Sequence, residues 1–134
     1  MKIRESAQDY LETILILNKE NGSVKSIEVA NHMGVTKQSV HRAIKNLKEE
    51  EYISVDEKGN ISLEEKGKQI AEDTYEKHQV LSKFFMSLGV SEDVSYSDAC
   101  KIEHDISKET FDAIKTIVNN LKKKIKNCKK KLQN

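Results

Sequence analysis

The chain has 134 residues, of which 34% are charged and 37% hydrophobic, with a net charge of +1. That size allows one or two small domains with thin cores, and self-association is a natural way to bury the remainder. No apolar run is long enough for a bilayer, the charged amino terminus does not read as a signal peptide, and two cysteines make no disulfide framework. The expected setting is therefore the reducing cytoplasm, with no membrane partner.

Residues 4–20 read as an amphipathic helix, with Ala7, Leu11, Ile14, Leu15 and Leu17 at mostly helical spacing. Ser6 is suited to its start, and Asn21-Gly22 ends it with a residue that tolerates the left-handed conformation. Ser26 opens a short second helix, Ile27–Met33, with Glu28 in its first turn. Gly34-Val35 turns the chain, and Thr36 caps a third helix to about Glu50 that faces Val40, Ile44 and Leu47 inward. Tyr52–Val55 and Asn60–Leu63 read as two short strands joined by Asp56-Glu-Lys-Gly-Asn60, which has hairpin-turn chemistry. Three helices followed by a hairpin have the order of a winged helix-turn-helix.

Glu64 or Glu65 opens a long helix to about Leu88, with Gly67 tolerated near its start and Gly89 as its stop. Ser91 starts another helix, with a break near Tyr96, that carries the Cys100 cluster through Ile106. Ser107 caps a last one carrying Phe111, Ile114, Ile117, Val118 and Leu121. The expected fold class is mainly α. Residues 1–65 form a winged helix-turn-helix with a small β-hairpin wing, and residues 66–134 an all-helical metal-binding and dimerisation domain. Phe84, Phe85, Leu88, Ile114 and Ile117 are available either for the dimer interface or for intrachain core.

The first half of the third helix gathers Thr36, Lys37, Gln38, Ser39, His41, Arg42 and Lys45, donors suited to phosphates and base edges at the end a recognition helix presents to the major groove. Lys58 on the wing can reach a neighbouring phosphate, while Glu49, Glu50 and Glu51 face away. The segment Lys122–Lys131 contains no acid; it either adds non-specific attraction to DNA or stands as a solvated basic tail. Cys128 within it reads as an inert exposed thiol.

The string Asp98-Ala-Cys-Lys-Ile-Glu-His-Asp105 sets Cys100, Glu103 and His104 at i, i+3 and i+4, on one face of a helix. Asp9 and Glu12 form a second acidic pair on the first helix, and His78 lies on the long helix. Each alone reads as a solvated or packed side chain. Together they offer carboxylates, imidazoles and a thiolate, a set suited to Mn2+, Fe2+, Co2+ or Zn2+. An ion shared by all of them would tie the DNA-reading head to the dimer body.

Asp9-Tyr-Leu-Glu12, the winged head, Glu76-Lys-His78 and Asp98-Ala-Cys-Lys-Ile-Glu-His104, in register, resemble the diphtheria-toxin-repressor-like metal-dependent transcriptional regulators, including the manganese transport regulators. The resemblance covers nearly the whole chain, in the two-domain form without an SH3-like third domain. It implies a homodimer that binds a palindromic operator when loaded with Mn2+ or Fe2+ and represses metal-uptake genes, with Co2+ or Zn2+ able to substitute in vitro. Asp9, Glu12, His78 and Glu103 match ligands of the manganese-type site, and His104 matches the ligand beside Glu103. Cys100 falls where manganese sensors tend to have Glu and iron sensors have Cys, and Asp9 falls where iron sensors tend to have Met. Tyr96 and Ser82 replace the His and Glu of the iron sensors' ancillary site.

A winged-helix regulator that answers to a small organic ligand, or that binds DNA without metal, would carry the same head. A metal hydrolase finds no support: the sequence has no phosphate-cradling loop and no separate acid/base pair, and no enzymatic activity is expected.

Overall fold

The computed structural model describes residues 4–133. The elements in chain order are α1 (Glu5–Asn21), α2 (Ser26–Met33), α3 (Lys37–Glu49), β1 (Ile53–Val55), β2 (Ile61–Leu63), α4 (Glu65–Ser87), α5 (Glu92–Ile102) and α6 (Lys108–Gln133). Two compact units divide between Tyr75 and Glu76, inside α4.

In the first unit, α1 buries Leu11, Ile14, Leu15 and Leu17 along one face, and α3 buries Val40, Ile44 and Leu47. Val29 and Ala30 of α2, with Ile53 and Ile61 of the hairpin, complete that core. Val24, which carries no periodic signal, is fully buried, and its carbonyl accepts the Ile61 N–H at 2.8 Å. The hairpin is antiparallel, with Ile53 opposite Leu63 and Val55 opposite Ile61.

Cap chemistry explains most helix boundaries. Gly22 closes α1 at φ 77°, donating its N–H to the Asn18 carbonyl. Ser6 lies inside the first turn of α1, and Ser26 is the first helical residue of α2, with Lys25 at the cap position. Thr36 Oγ1 accepts the Ser39 N–H at 3.1 Å, the side-chain cap that its place before α3 suggests.

The C-terminus of α3 closes in a Schellman motif, with the Tyr52 N–H on the Leu47 carbonyl at 3.0 Å and the Glu51 N–H on the Lys48 carbonyl at 3.1 Å. The left-handed position usually given to Gly is here Glu51, at φ 64°. In the wing turn, Asp56 Oδ1 accepts the N–H groups of Lys58 and Asn60, both at 2.9 Å. The Asn60 backbone N–H, aided by the Asn60 amide and the Lys58 and Gly59 N–H groups, holds the Asp56 carboxyl below the ordinary aspartate range.

The start of α4 belongs to the first core. The Glu64 N–H donates to the Tyr52 carbonyl at 3.0 Å, and the Lys66 ammonium stands 4.2 Å from the centre of the Tyr52 ring. Ala71 is fully buried, and Ile70 and Tyr75 pack against the same cluster. These contacts belong to the first unit, which runs to Tyr75 within α4.

In the second unit, Val80 of α4 and Phe111 and Val118 of α6 form a small core, with Phe84, Ile106 and Ile114 packed against it. Lys115 pairs with Glu76. Ser107 caps α6, its Oγ accepting the Thr110 N–H at 3.2 Å. Helix α5 is unbroken at Tyr96 and ends at Ile102, four residues short of the expected Ile106. Leu88 and Ile117 are exposed, whereas Phe84 and Ile114 are drawn into the core.

Candidate functional site

Every candidate DNA-contacting residue of the first unit reaches solvent: Thr36, Lys37, Gln38, Ser39, His41, Arg42, Lys45 and Lys58 are all exposed. The structure divides their roles. Thr36 is committed to the cap, and its hydroxyl also meets the Ser39 hydroxyl at 3.0 Å. Gln38, His41, Arg42 and Lys45 follow on α3, while the buried Val40, Ile44 and Leu47 seat its opposite face on the core. This is the amphipathic division that presents a recognition helix.

An open groove of about 570 Å³ lies along α2 and α3, lined by Ser26, Ile27, Ala30, Lys37, Gln38, Val40 and His41. Ile27 is 46% exposed there although it is apolar. Sequence periodicity assigned Ile27 only to a helix. An apolar residue directly after a helix start, on the side shared with a donor-rich helix, is the signal that could have found it.

The metal candidates fall in both units. Asp9 and Glu12 are half-buried on α1, and the Asp9 carbonyl accepts the Thr13 hydroxyl at 2.8 Å. In the second unit, His78 Nδ1 stands 3.1 Å from Glu103 Oε2, so α4 and the end of α5 supply one cluster. His104 Nε2 lies 3.6 Å from Glu103 Oε1. A Glu103 oxygen also comes within 4.8 Å of Cys100 Sγ.

The Cys-x-x-Glu-His string runs off the end of α5, yet Cys100 and Glu103 stay close, as their i, i+3 spacing implies. Cys100 is on α5 and exposed, Glu103 is its C-cap, and His104 lies in the turn beyond. Glu103 keeps right-handed helical dihedrals, and its N–H still donates to the Ala99 carbonyl at 2.9 Å. Glu103 and His104 are buried, at 3% and 4% exposure.

Burial makes Glu103 costly. A buried carboxylate is tolerated only when paired and hydrogen-bonded. Among the described residues, Glu103 Oε2 meets His78, but Oε1 is buried with no hydrogen-bond partner. An acidic oxygen in that state, with two imidazoles and a thiol about it, fits a divalent cation by charge and by donor type.

One member of this cluster carried no sequence signal as a ligand neighbour. The Tyr96 ring stacks on His78 with centroids 5.7 Å apart and planes 7° apart. The His78 carbonyl accepts the Ser82 hydroxyl at 2.7 Å, and Ser82 is 1% exposed. Tyr96 thus braces the His78 ring from its own unit, while the Ser82 hydroxyl bonds back within α4. Their positions were noted in sequence only as departures from an ancillary ligand set. Among the described residues, no helix is long and apolar enough to cross a membrane.

Two family models match the chain. Residues 2–61 match the iron dependent repressor N-terminal DNA binding domain, and residues 64–130 match the iron dependent repressor metal binding and dimerisation domain. The transcriptional regulator MntR of Escherichia coli O157:H7 is 32% identical over 112 residues, which is 84% of this chain and 72% of that protein. Among solved structures, the manganese regulator SloR superposes with a TM-score of 0.75 at 25% identity, covering 84% of this chain and 53% of that one. ScaR with bound Zn2+ matches with a TM-score of 0.69 at 25% identity, over 84% and 53% of the two chains. The chain thus spans about half the length of these solved structures.

Proposed function

The chain belongs to the iron-dependent repressor family of metal-dependent DNA-binding regulators, and from that premise we propose that it represses metal-uptake genes when loaded with Mn2+ or Fe2+. In this reading it acts in the cytoplasm as a homodimer on a palindromic operator. Residues 1–65 form the DNA-binding domain and residues 66–134 the metal-binding and dimerisation domain.

The observation that carries the proposal is the buried Glu103 carboxylate, set against His78 and His104 with one oxygen lacking a hydrogen-bond donor. The proposed ligands are His78, Cys100, Glu103 and His104 of the second unit, with Asp9 and Glu12 of α1. A bound divalent ion supplies compact double positive charge that neutralises these acids. Cys100 is a softer donor than a carboxylate and favours Fe2+, Co2+ or Zn2+, whereas Asp9 and Glu12 accommodate Mn2+. Thiolate ligation requires loss of the Cys100 proton, so metal affinity weakens as pH falls.

The DNA half rests on the exposed donors of α3. Gln38, His41, Arg42 and Lys45 are proposed to meet base edges and phosphates, Lys37 and Lys58 to contact phosphates, and Thr36 and Ser39 to contact the duplex from the capped helix start. Metal raises operator affinity only if it binds the DNA-competent state more tightly than the alternative. A coupling of about 1–3 kcal/mol, roughly 5–150-fold, is ordinary for such a switch.

The decisive experiment is a metal-by-metal operator titration under anaerobic conditions, which protects both Cys100 and Fe2+ from oxidation. Tighter binding with Mn2+ or Fe2+, reversed by a chelator, is the expected result. Equal affinities with and without every metal would sink the proposal.

A further inference from the structure

The charge of this chain is unevenly placed. It carries 23 basic and 22 acidic residues, and seven of the basic ones lie within Lys122–Lys131, where there is no acid. Without that segment the chain would hold 16 basic against 22 acidic residues, a surplus of six negative charges. A duplex repels such a body at long range, and residues 1–65, with 9 basic against 12 acidic residues, do not offset it, so a cationic surface elsewhere would favour DNA encounter.

The structure gives that segment a fixed form. Helix α6 continues through it, and residues 119–132 are all exposed. At a rise of about 1.5 Å per residue, the ten residues 122–131 span roughly 14 Å, over which duplex DNA presents on the order of eight phosphate charges. Five of the seven lysines, Lys122, Lys123, Lys126, Lys129 and Lys130, fall on one side of the helix by its period, enough to follow several of these phosphates. At the root of the ridge, burial and then the adjacent Lys122 push the Lys83 ammonium below the ordinary lysine range.

Other occupants fit less well. The apolar side chain of the segment is Ile125, 58% exposed; with Cys128, and with Leu132 just beyond the segment, it continues the exposed row of Ile117 and Leu121 along α6. This stripe is narrow and lacks the aromatic and broad apolar face of helices that insert into lipid. Lys122 and Lys129 flank it on one side and Lys124 and Lys131 on the other, so a second copy of the helix would meet like charge on both flanks.

We propose that the Lys122–Lys131 ridge of α6 is a second DNA-binding surface, one that holds the phosphate backbone without reading sequence and does so whether or not metal is bound. The proposal rests on the DNA-binding reading given above. The ridge supplies attraction and encounter rate, and α3 supplies the choice of site.

The test is the salt dependence of binding to a random-sequence duplex by the full chain, by a variant with Lys→Gln at all seven positions and by a variant with Lys→Arg at the same positions. The logarithmic salt slope of the Gln variant should fall in magnitude by at least about 2, with a ceiling of about 6 set by 0.9 per phosphate. Its affinity at low salt should drop at least about tenfold. The Arg variant should keep the parental slope, and both variants should keep the parental ratio of operator affinities with and without Mn2+. An unchanged slope in a helical Gln variant overturns the proposal. So does binding of the parent to phosphatidylglycerol vesicles that the Gln substitutions abolish while the DNA slope stays put. Absence of any Mn2+ response in the parent would instead count against the metal-dependent reading and leave the slope comparison to decide this one.

Discussion

His78 Nδ1 and Glu103 Oε2 meet at 3.1 Å although 25 residues separate them in the chain. The contact joins α4 to the end of α5 and buries a carboxylate that one imidazole alone does not satisfy. If that carboxylate is a metal ligand, Glu103→Gln removes its charge with little change in volume. The variant is expected to bind Mn2+ or Fe2+ at least about 100-fold more weakly, since even outer partners of metal ligands are worth 10–100-fold. Calorimetric metal titration, with circular dichroism to verify the fold, checks this; parental affinity in Glu103→Gln would remove Glu103 from the ligand set.

Tyr96 lies nearly parallel to the His78 ring, and Tyr96 is 40% exposed. Stacked aromatic pairs contribute about 0.5–1.5 kcal/mol, so losing the stack should cost up to about tenfold in metal affinity through freer rotation of His78. Tyr96→Ala is expected to show that loss and Tyr96→Phe to retain parental affinity. Equal losses in both variants would point to the hydroxyl rather than the ring.

Gly67 packs so tightly on the base of the wing that a Cβ there would stand 2.1 Å from the Tyr52 carbonyl oxygen. Helix propensity alone favours Ala by about 1 kcal/mol. The overlap is with backbone and cannot be relieved by rotating a side chain, so the steric cost of about 1–3 kcal/mol or more should win. Gly67→Ala is expected to be less stable in urea unfolding; a gain in stability would mean that α4 shifts freely against Tyr52.

Glu51 occupies the left-handed position of the Schellman motif after α3 at φ 64°. An L-residue with a Cβ pays about 1–2 kcal/mol there, offset in part by the larger unfolded-state entropy of Gly. Glu51→Gly should therefore stabilise the first unit by a few tenths to about 1 kcal/mol, read as a higher urea midpoint at unchanged slope. A lower midpoint would show that the Glu51 side chain contributes to the native state.

Most of the first unit was legible in the sequence because its signals are local. Thr36 before a donor-rich helix, Gly22 and Gly34 after helical runs, and Asp56-Glu-Lys-Gly-Asn60 between β-rich segments each state a cap or a turn through a hydrogen bond made within a few residues. Val24 and Gly67 were not legible, since each matters through a partner distant in sequence, Ile61 and Tyr52 respectively. The end of α5 was misplaced for the same reason. The Asp105 and Ile106 N–H groups on the Ile102 carbonyl hold the turn locally, but the burial of Glu103 against His78, 25 residues away, carries no local signal.

The sequence by itself determined the inventory of this protein: the order of its elements, the donor-rich half of α3, the residue types able to hold a divalent ion and the acid-free run of lysines near its end. All of these follow from side-chain chemistry and short-range periodicity. Tertiary structure alone decided which acid is buried, that Glu103 turns inward while Cys100 stays exposed, that Tyr96 braces His78, and that α4 needs a glycine at its base. Those outcomes depend on desolvation and on the close approach of distant backbone, and neither quantity is carried by the spacing of residues along a single segment.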